Sequence, residues 1–305
     1  MKIHVLGNKI SKDTVMFLSR ISPLIVPLFD EDDIDEEISS NIKVLLRYGS
    51  SANINAFNRI FREENGGKIS RIYHINRPSA VANSADKIKM RKLFIENDVH
   101  IPHTIINDSS GNMNVTVEAS NGMYKRKSNH RRGSDMDFIP AGMSVSLAPG
   151  EILIEKINIK DEFRVFVFKN KIMEVDIKIK KEQPSEEEII NIASRYEGDA
   201  SKDARNYVNG WTFIPIRNIP EGVEDEAIKA INAVELDFGA VDLCVADNDD
   251  VYVFETNSAP SIKVARKGLL LINFILSDIL SDMEKILDIS DMRIGDLIRH
   301  VSIRI

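Results

Sequence analysis

Three oxygen-bearing side chains within sixteen residues are the part of this chain best suited to chemistry. In "AVDLCVADNDDVYVFETN", residues 240–257, Asp242 interrupts one apolar strand, and Glu255 and Asn257 stand at the end of a second. A carboxylate among buried apolar residues is costly unless something pairs with it. Strand side chains alternate, so Asp242 shares a face with Cys244 and Ala246, while Val253, Glu255 and Asn257 share one on the second strand. If the strands pair antiparallel about a turn near Asn248–Asp250, Asp242 meets Glu255 and Asn257 at one end of the hairpin. Hard oxygen donors gathered in this way suit a divalent cation, Mg²⁺ before others. The competing reading is a strand-end glutamate facing water before an Asn-Ser-Ala-Pro turn, with Asp242 a satisfied polar residue.

Positioning such a trio requires a sheet with a core behind it, and the chain has the means. Its 305 residues, 43% of them apolar, are enough for two or three modules of ordinary domain size. The net charge of −7 argues against direct nucleic-acid binding as the main task. A single cysteine, Cys244, excludes an intramolecular disulfide and fits a reducing compartment. The start "MKIHVLGNKISKD" lacks the apolar run of a signal peptide, and "GLLLINFILSDIL" at 268–280 is too short to span a bilayer. A cytoplasmic protein with no membrane segment is expected. The apolar helix "LLLINFIL" packs internally or forms a homodimer face, and both readings stay open.

Along the chain, "KIHVLG" and "IKVLLRYGS" read as strands, with helices expected from about Thr14 and from Ser51. The acidic run "DEDDIDEE" at 30–37 reads as solvated. "NSADKIKMRKLFIENDVHIPHT" predicts a helix capped by Ser84, ended by Ile101–Pro102 and followed by a strand. Strands follow at "NMNVTVEAS", around the polar loop of "GMYKRKSNHRRGSDMDFI", at "GEILIEKI", and at "EFRVFVFKNKIMEVDIKI" with a turn at Lys169–Lys171. A polar insertion precedes the helix "EDEAIKAINAVELDF" and the carboxylate hairpin, and the remainder reads mainly helical.

"LDFGAVDLCVADNDDVYVFETNSAP" resembles the C-terminal signature of the ATP-grasp superfamily, a Gly-x-x-Asp strand followed by a Glu-x-Asn-x-x-Pro strand end. The resemblance assigns Asp242, Glu255 and Asn257 to the Mg²⁺ ions that bridge the ATP phosphates. Their spacing of thirteen and then two residues matches D-alanine–D-alanine ligases. "LIEKINIKDEFRVFV" is similar to the family's nucleotide hinge: the backbone from Glu155 through Lys156 and Ile157 would bond adenine, and Glu162 the ribose hydroxyls. "YKRKSNHRRGSD" resembles the strand and lid loop over the phosphates, with Gly133 the loop glycine and Arg126 where the family commonly has lysine. Lys125 and Lys127 compete with Arg126 for the phosphates, and His130 is a candidate lid contact. The alternative for "KRKSNHRR" is a nucleic-acid patch or a solvated basic loop. "ADKIKMRKLFIENDVHIPHT" matches the usual entry into the family's subdomains, and "EFR" at 162–164 resembles the acidic-x-Arg pattern of ribosomal-protein glutamate ligases.

The resemblance implies an α/β (α+β) chain with the ATP-grasp fold. Residues 1–83 would form a small N-terminal α/β domain, 84–154 a subdomain with the lid, and 155–305 the subdomain with the metal site. Two α+β subdomains would clasp ATP between them. The implied cofactors are ATP and Mg²⁺, with Mn²⁺ as a substitute, and the implied partners are carboxylate and amine substrates, small molecules or peptides. The expected activity is ligation through an acyl phosphate; a kinase acting on a hydroxyl, or a nucleotide-binding protein without turnover, are the alternatives. Arg164, Lys178, Lys180 and Lys263 are the candidate catalytic cations. Ala240 stands where D-alanine–D-alanine ligases carry a catalytic arginine, and Ser261 where they carry glycine, which argues against that substrate. Arg47 and "YVNGWTF" at 207–213 are candidates for substrate specificity.

Overall fold

The computed structural model describes residues 2–29, 44–51, 73–127, 136–181, 210–262 and 264–287. The acidic run 30–37, the helix expected after Ser51, the lid residues His130 and Gly133, Lys263 and most of the polar insertion lie outside the described residues. The chain divides into two units, one comprising Met1–Leu46, Ile54–His74 and Ser261–Ile305, the other Arg47–Asn53 and Ile75–Pro260. No helix among the described residues is long and apolar enough to cross a membrane.

In the first unit, β1 (Ile3–Gly7) and β2 (Ile25–Phe29) pair in parallel through α1 (Lys12–Ile21). Asn8 shapes the turn before that helix: its Oδ1 accepts from the N–H groups of Ile10 and Ser11 at 2.9 and 3.0 Å. The sheet is completed by β3 (Val44–Tyr48) and β4 (Tyr73–Ile75) in the order β2-β1-β3-β4. A Cβ at Gly268 would fall 2.4 Å from Ile21 Cδ1 and 3.0 Å from Leu18 Cδ2, so glycine lets the helix Ala265–Leu287 lie close against α1.

The second unit holds two larger sheets. One has the order β5-β10-β7-β8, from β5 (Thr104–Ile106), β7 (Met123–Lys127), β8 (Asp137–Ile139) and β10 (Glu151–Glu155). Met123 and Leu153 bury on one face with Val117 and Leu147. A separate ribbon pairs β6 (Met113–Thr116) with β9 (Ser144–Leu147).

The other sheet is antiparallel throughout, in the order β13-β12-β11-β14-β15. Its strands are β11 (Ile159–Phe168), β12 (Lys171–Lys180), β13 (Trp211–Ile216), β14 (Phe238–Ala246) and β15 (Val251–Asn257). Lys169 and Asn170, both at positive φ, make the expected two-residue turn between β11 and β12. One face is apolar: Phe163, Val165, Val167, Val175, Val241, Leu243, Val245, Val251 and Val253 join a single core. Three helices contribute to that core, α2 (Pro78–Ala85), α3 (Lys87–Glu96) and α4 (Val223–Ala233), through Val81, Met90, Phe94, Ala227 and Ile231. Each fully buried Val, Leu or Ile contributes roughly 1.5–3 kcal/mol. The opposite face carries Glu162, Arg164, Asp176 and Asp242 beside buried Phe166, Phe168 and Ala240.

The cap of α3 differs from the sequence expectation. Ser84 lies inside α2 and is buried, its hydroxyl donating to the Thr256 carbonyl at 3.1 Å. Asp86 caps instead, its Oδ1 accepting from Ile88 N and Lys89 N at 3.0 Å each. The chain breaks at Asp86, so Lys87 becomes the first residue of α3.

Candidate active site

The hairpin pairing expected for the carboxylates is present, with one change. Asp242 is the register partner of Glu255, and Ala240 that of Asn257. The register shifts between Asp242 and Leu243, where Phe254 is the extra residue. Val253 therefore packs in the apolar core opposite Leu243, while Glu255 pairs with Asp242. The expectation that Val253 and Glu255 share a face is corrected by this bulge.

The neighbouring strands extend the row. Arg164 is partnered by Asp242 on one side and Asp176 on the other, so Asp176, Arg164, Asp242 and Glu255 cross four strands side by side. Arg164 Nε and Nη2 donate to Asp242 Oδ1 and Oδ2, each at 2.7 Å, the bidentate fork that suits a carboxylate. Burial would lower the Arg164 pKa, but the carboxylates of Asp242, Glu255 and Asp176 together outweigh it and the net shift is upward. Glu162 receives a hydrogen bond from Lys178 Nζ, two residues along the same strands. Phe213, paired with Lys178, lies under both cations: its ring centroid is 4.4 Å from Arg164 Cζ and 5.3 Å from Lys178 Nζ.

Glu255 is held from the helix side. Lys87 Nζ donates to its Oε2 at 2.5 Å. Burial alone would raise the Glu255 pKa, but Lys87, with Arg126 and Arg164 beyond it, brings it down to about 2. Asn257 Oδ1 accepts from Ala259 N at 2.9 Å, and Tyr48 donates its hydroxyl to the Pro260 carbonyl, so the turn after Asn257 is tied at both ends. Burial pushes the Tyr48 phenol well above its ordinary value, which keeps it a donor.

The three basic residues of β7 separate by strand alternation. Lys125 forms an ion pair with Glu151 at 2.9 Å, and Lys127 acts electrostatically on the same carboxylate. Arg126 acts instead on Glu255 and Arg91, and its Nε is buried with no hydrogen-bond partner among the described residues. At the hinge, Glu155 N donates to His103 O at 2.9 Å and Lys156 N to Gly122 O at 3.0 Å. The Lys156 N–H is thus engaged within the protein. Lys180 lies exposed at the far end of β12.

Lys87, Asp176, Phe213 and Tyr48 belong to this constellation although the sequence reading gave them no role in it. Lys87 lies in "ADKIKMRKLFIENDVHIPHT", and Phe213 ends "YVNGWTF". Asp176 looked like one more charge in an alternating strand.

The donor set fits a hard divalent ion: two carboxylates and a carboxamide, ringed by cations suited to phosphate oxygens. Among the described residues no group of three His, Cys, Asp or Glu side chains is placed to hold a metal. Lys87 and Arg164 are the cations an incoming ion would have to displace.

No family model matches the sequence. No curated protein matches it either. Solved structures do. D-alanine–D-alanine ligase from Bacillus anthracis matches with a TM-score of 0.56 at 15% identity, over 93% of this chain and 99% of that one. The ATP-grasp ligase PsnB complexed with minimal precursor, Mg and ADP matches with a TM-score of 0.55 at 13% identity, over 90% and 96%. The Bacillus anthracis ligase complexed with ATP matches with a TM-score of 0.51 at 13% identity, over 85% and 87%. The chain is an α+β protein with the ATP-grasp fold.

Proposed function

We propose that this protein is an ATP-dependent ligase that joins a carboxylate to an amine through an acyl phosphate, releasing ADP and phosphate. The observation that carries the reading is the row Arg164–Asp242–Glu255, with Asn257 beside it, on the polar face of a sheet in an ATP-grasp fold. Solved ligases of this fold with ATP, or with ADP and Mg, bound support the choice of nucleotide and ion.

A carboxylate is a poor electrophile because oxide is a poor leaving group; phosphorylation replaces it with phosphate. Such a transfer depends on positioning and charge neutralisation more than on covalent help. Asp242, Glu255 and Asn257 would hold Mg²⁺, which supplies neutralisation of the triphosphate when bound. Arg126 and Lys87 face the phosphates. Arg164, released from Asp242, meets the acyl phosphate, with Phe213 fixing the plane of its guanidinium. Lys178 supplies a second cation and orients Glu162 towards the ribose. The hinge backbone from Glu155 through Lys156 and Ile157 bonds adenine. Lys180 and Lys263 remain in the proposal as candidate catalytic cations, and Lys127, His130 and Gly133 as phosphate or lid contacts. The subdomains are taken as 1–83, 84–154 and 155–305, acting in the cytoplasm.

An ATP-consumption assay against pools of amino acids, short peptides and other carboxylic acids tests the proposal. Phosphate release that needs both a carboxylate and an amine, with an amide product, is expected. A stable phosphate ester without amide would instead establish a kinase.

A further inference from the structure

We infer that Arg91 is a positioning residue, which holds the bulge at Phe254 and thereby turns Glu255 towards Asp242. The inference rests on the proposed role of Glu255 as a metal ligand. Leu243 pairs with Val253 in the apolar core, and the adjacent Asp242 pairs with Glu255. Two residues on β15 thus answer one step on β14. In an unbroken ladder Asp242 would face Phe254, and Glu255 would fall opposite Val241, a core residue. The bulge alone brings the carboxylate to the polar face.

A bulge breaks the ladder, and its backbone groups then need other partners. Arg91 supplies one. It lies in α3 with only 4% of its surface exposed. Its Nη2 donates to the Phe254 carbonyl at 3.3 Å and its Nη1 to Thr104 Oγ1 at 3.2 Å. Thr104 is fixed in turn, its hydroxyl donating to the Pro102 carbonyl at 2.7 Å. On the other side of the bulge, Val253 N donates to His100 O at 2.8 Å. The segment from His100 to Thr104 and the guanidinium fork therefore hold Phe254 between them. A lysine ammonium has one charged point where the fork has two separate arms, so it cannot serve Thr104 and Phe254 with the same geometry.

The test measures Mn²⁺ binding to the ADP complex by electron paramagnetic resonance, together with ADP affinity without metal and thermal unfolding. Arg91→Met is expected to weaken Mn²⁺ binding about tenfold or more, the scale of lost supporting contacts around a metal. ADP affinity without metal should stay the same, guanidinium in solution should restore part of the loss, and Arg91→Lys should fall between. Wild-type Mn²⁺ affinity in Arg91→Met, or equal losses in metal and nucleotide affinity, overturns the inference. If Arg91→Met does not fold, Thr104→Val removes the anchor of one arm; weaker Mn²⁺ binding is expected and unchanged binding overturns the inference. Glu255→Ala separates the two readings. Should it retain full Mn²⁺ affinity, the metal role fails, and the positioning role is judged by amide exchange at Phe254–Asn257: faster in Arg91→Met supports it, unchanged overturns it.

Discussion

Arg164 and Asp242 are register partners on adjacent antiparallel strands, and the guanidinium closes both carboxylate oxygens at 2.7 Å. A divalent ion that takes Asp242 must take it from this arginine. Asp176, the register partner of Arg164 on its other flank, also acts electrostatically on the guanidinium. The pair is thus both a structural clasp and a means of keeping the proposed acyl-phosphate cation in the site.

Arg164→Met leaves Asp242 a largely buried carboxylate without its fork. We expect a loss of about 3 kcal/mol in chelator-treated protein, read by urea denaturation, because breaking one side of a buried pair strands the other charge. Arg164→Met combined with Asp242→Asn should recover part of it. Turnover of Arg164→Met should fall roughly 10²–10³-fold, the usual cost of removing one transition-state donor. Unchanged turnover would remove Arg164 from the chemistry.

Gly239 opens the Gly-x-x-Asp stretch, and its role is steric. A Cβ there would lie 2.9 Å from the backbone oxygen of Asn257 and 3.1 Å from Ile231 Cδ1. Gly239→Ala should push β14 and β15 apart at Asn257, costing about 1–3 kcal/mol as overpacking does. Metal-dependent ATP turnover should drop more than ADP affinity measured without metal. Equal drops would mean that Asn257 had not moved.

The carboxylate trio could be read in the sequence because strand alternation and hairpin length together bring Asp242 to Glu255. The parity of β15 could not. An extra residue in a ladder leaves no mark in composition, and Phe254 looks like any other strand residue. Asp176 was hidden differently: in "EVDIKIK" each charge alternates with an apolar residue, the pattern of a half-solvated strand, and only pairing on both sides buries it. Ser84 carried a good local cap signal. It was overridden because Thr256 offers its hydroxyl a buried partner, and Asp86 was left to cap α3. The core face was the most legible part, since valines and leucines at period two in β11, β14 and β15 leave few other arrangements.

The first unit carries a pH dependence of its own. Burial lowers the pKa of His4 below its ordinary value of 6.5, against an opposing backbone hydrogen bond to Val44. The folded state therefore prefers the neutral ring, and unfolding takes up a proton below the ordinary pKa. Stability from this group is complete above pH 6.5 and is lost as pH falls through the folded value. His4→Gln should flatten the fall in urea midpoint just below pH 6.5, and a slope equal to wild type would contradict the assignment.

Phe213 makes a sharper test of how the polar face is organised. Its ring touches two cations, Arg164 at 4.4 Å and Lys178 at 5.3 Å, each of which already has a carboxylate partner. Contacts of this kind contribute about 0.5–2 kcal/mol each, more where water is excluded. Phe213→Leu retains most of the apolar volume but loses the aromatic face. If the ring only fills space, stability falls slightly and kinetics stay as in wild type. If it fixes the plane of Arg164 for the acyl phosphate, kcat should fall about tenfold, a loss of roughly 1.4 kcal/mol in transition-state stabilisation, with KM for ATP little changed. Phe213→Tyr, which keeps the π face, should retain most of kcat. A leucine variant with full kcat would reduce Phe213 to packing, and a rise in KM for ATP alone would move its role from the acyl side to the nucleotide.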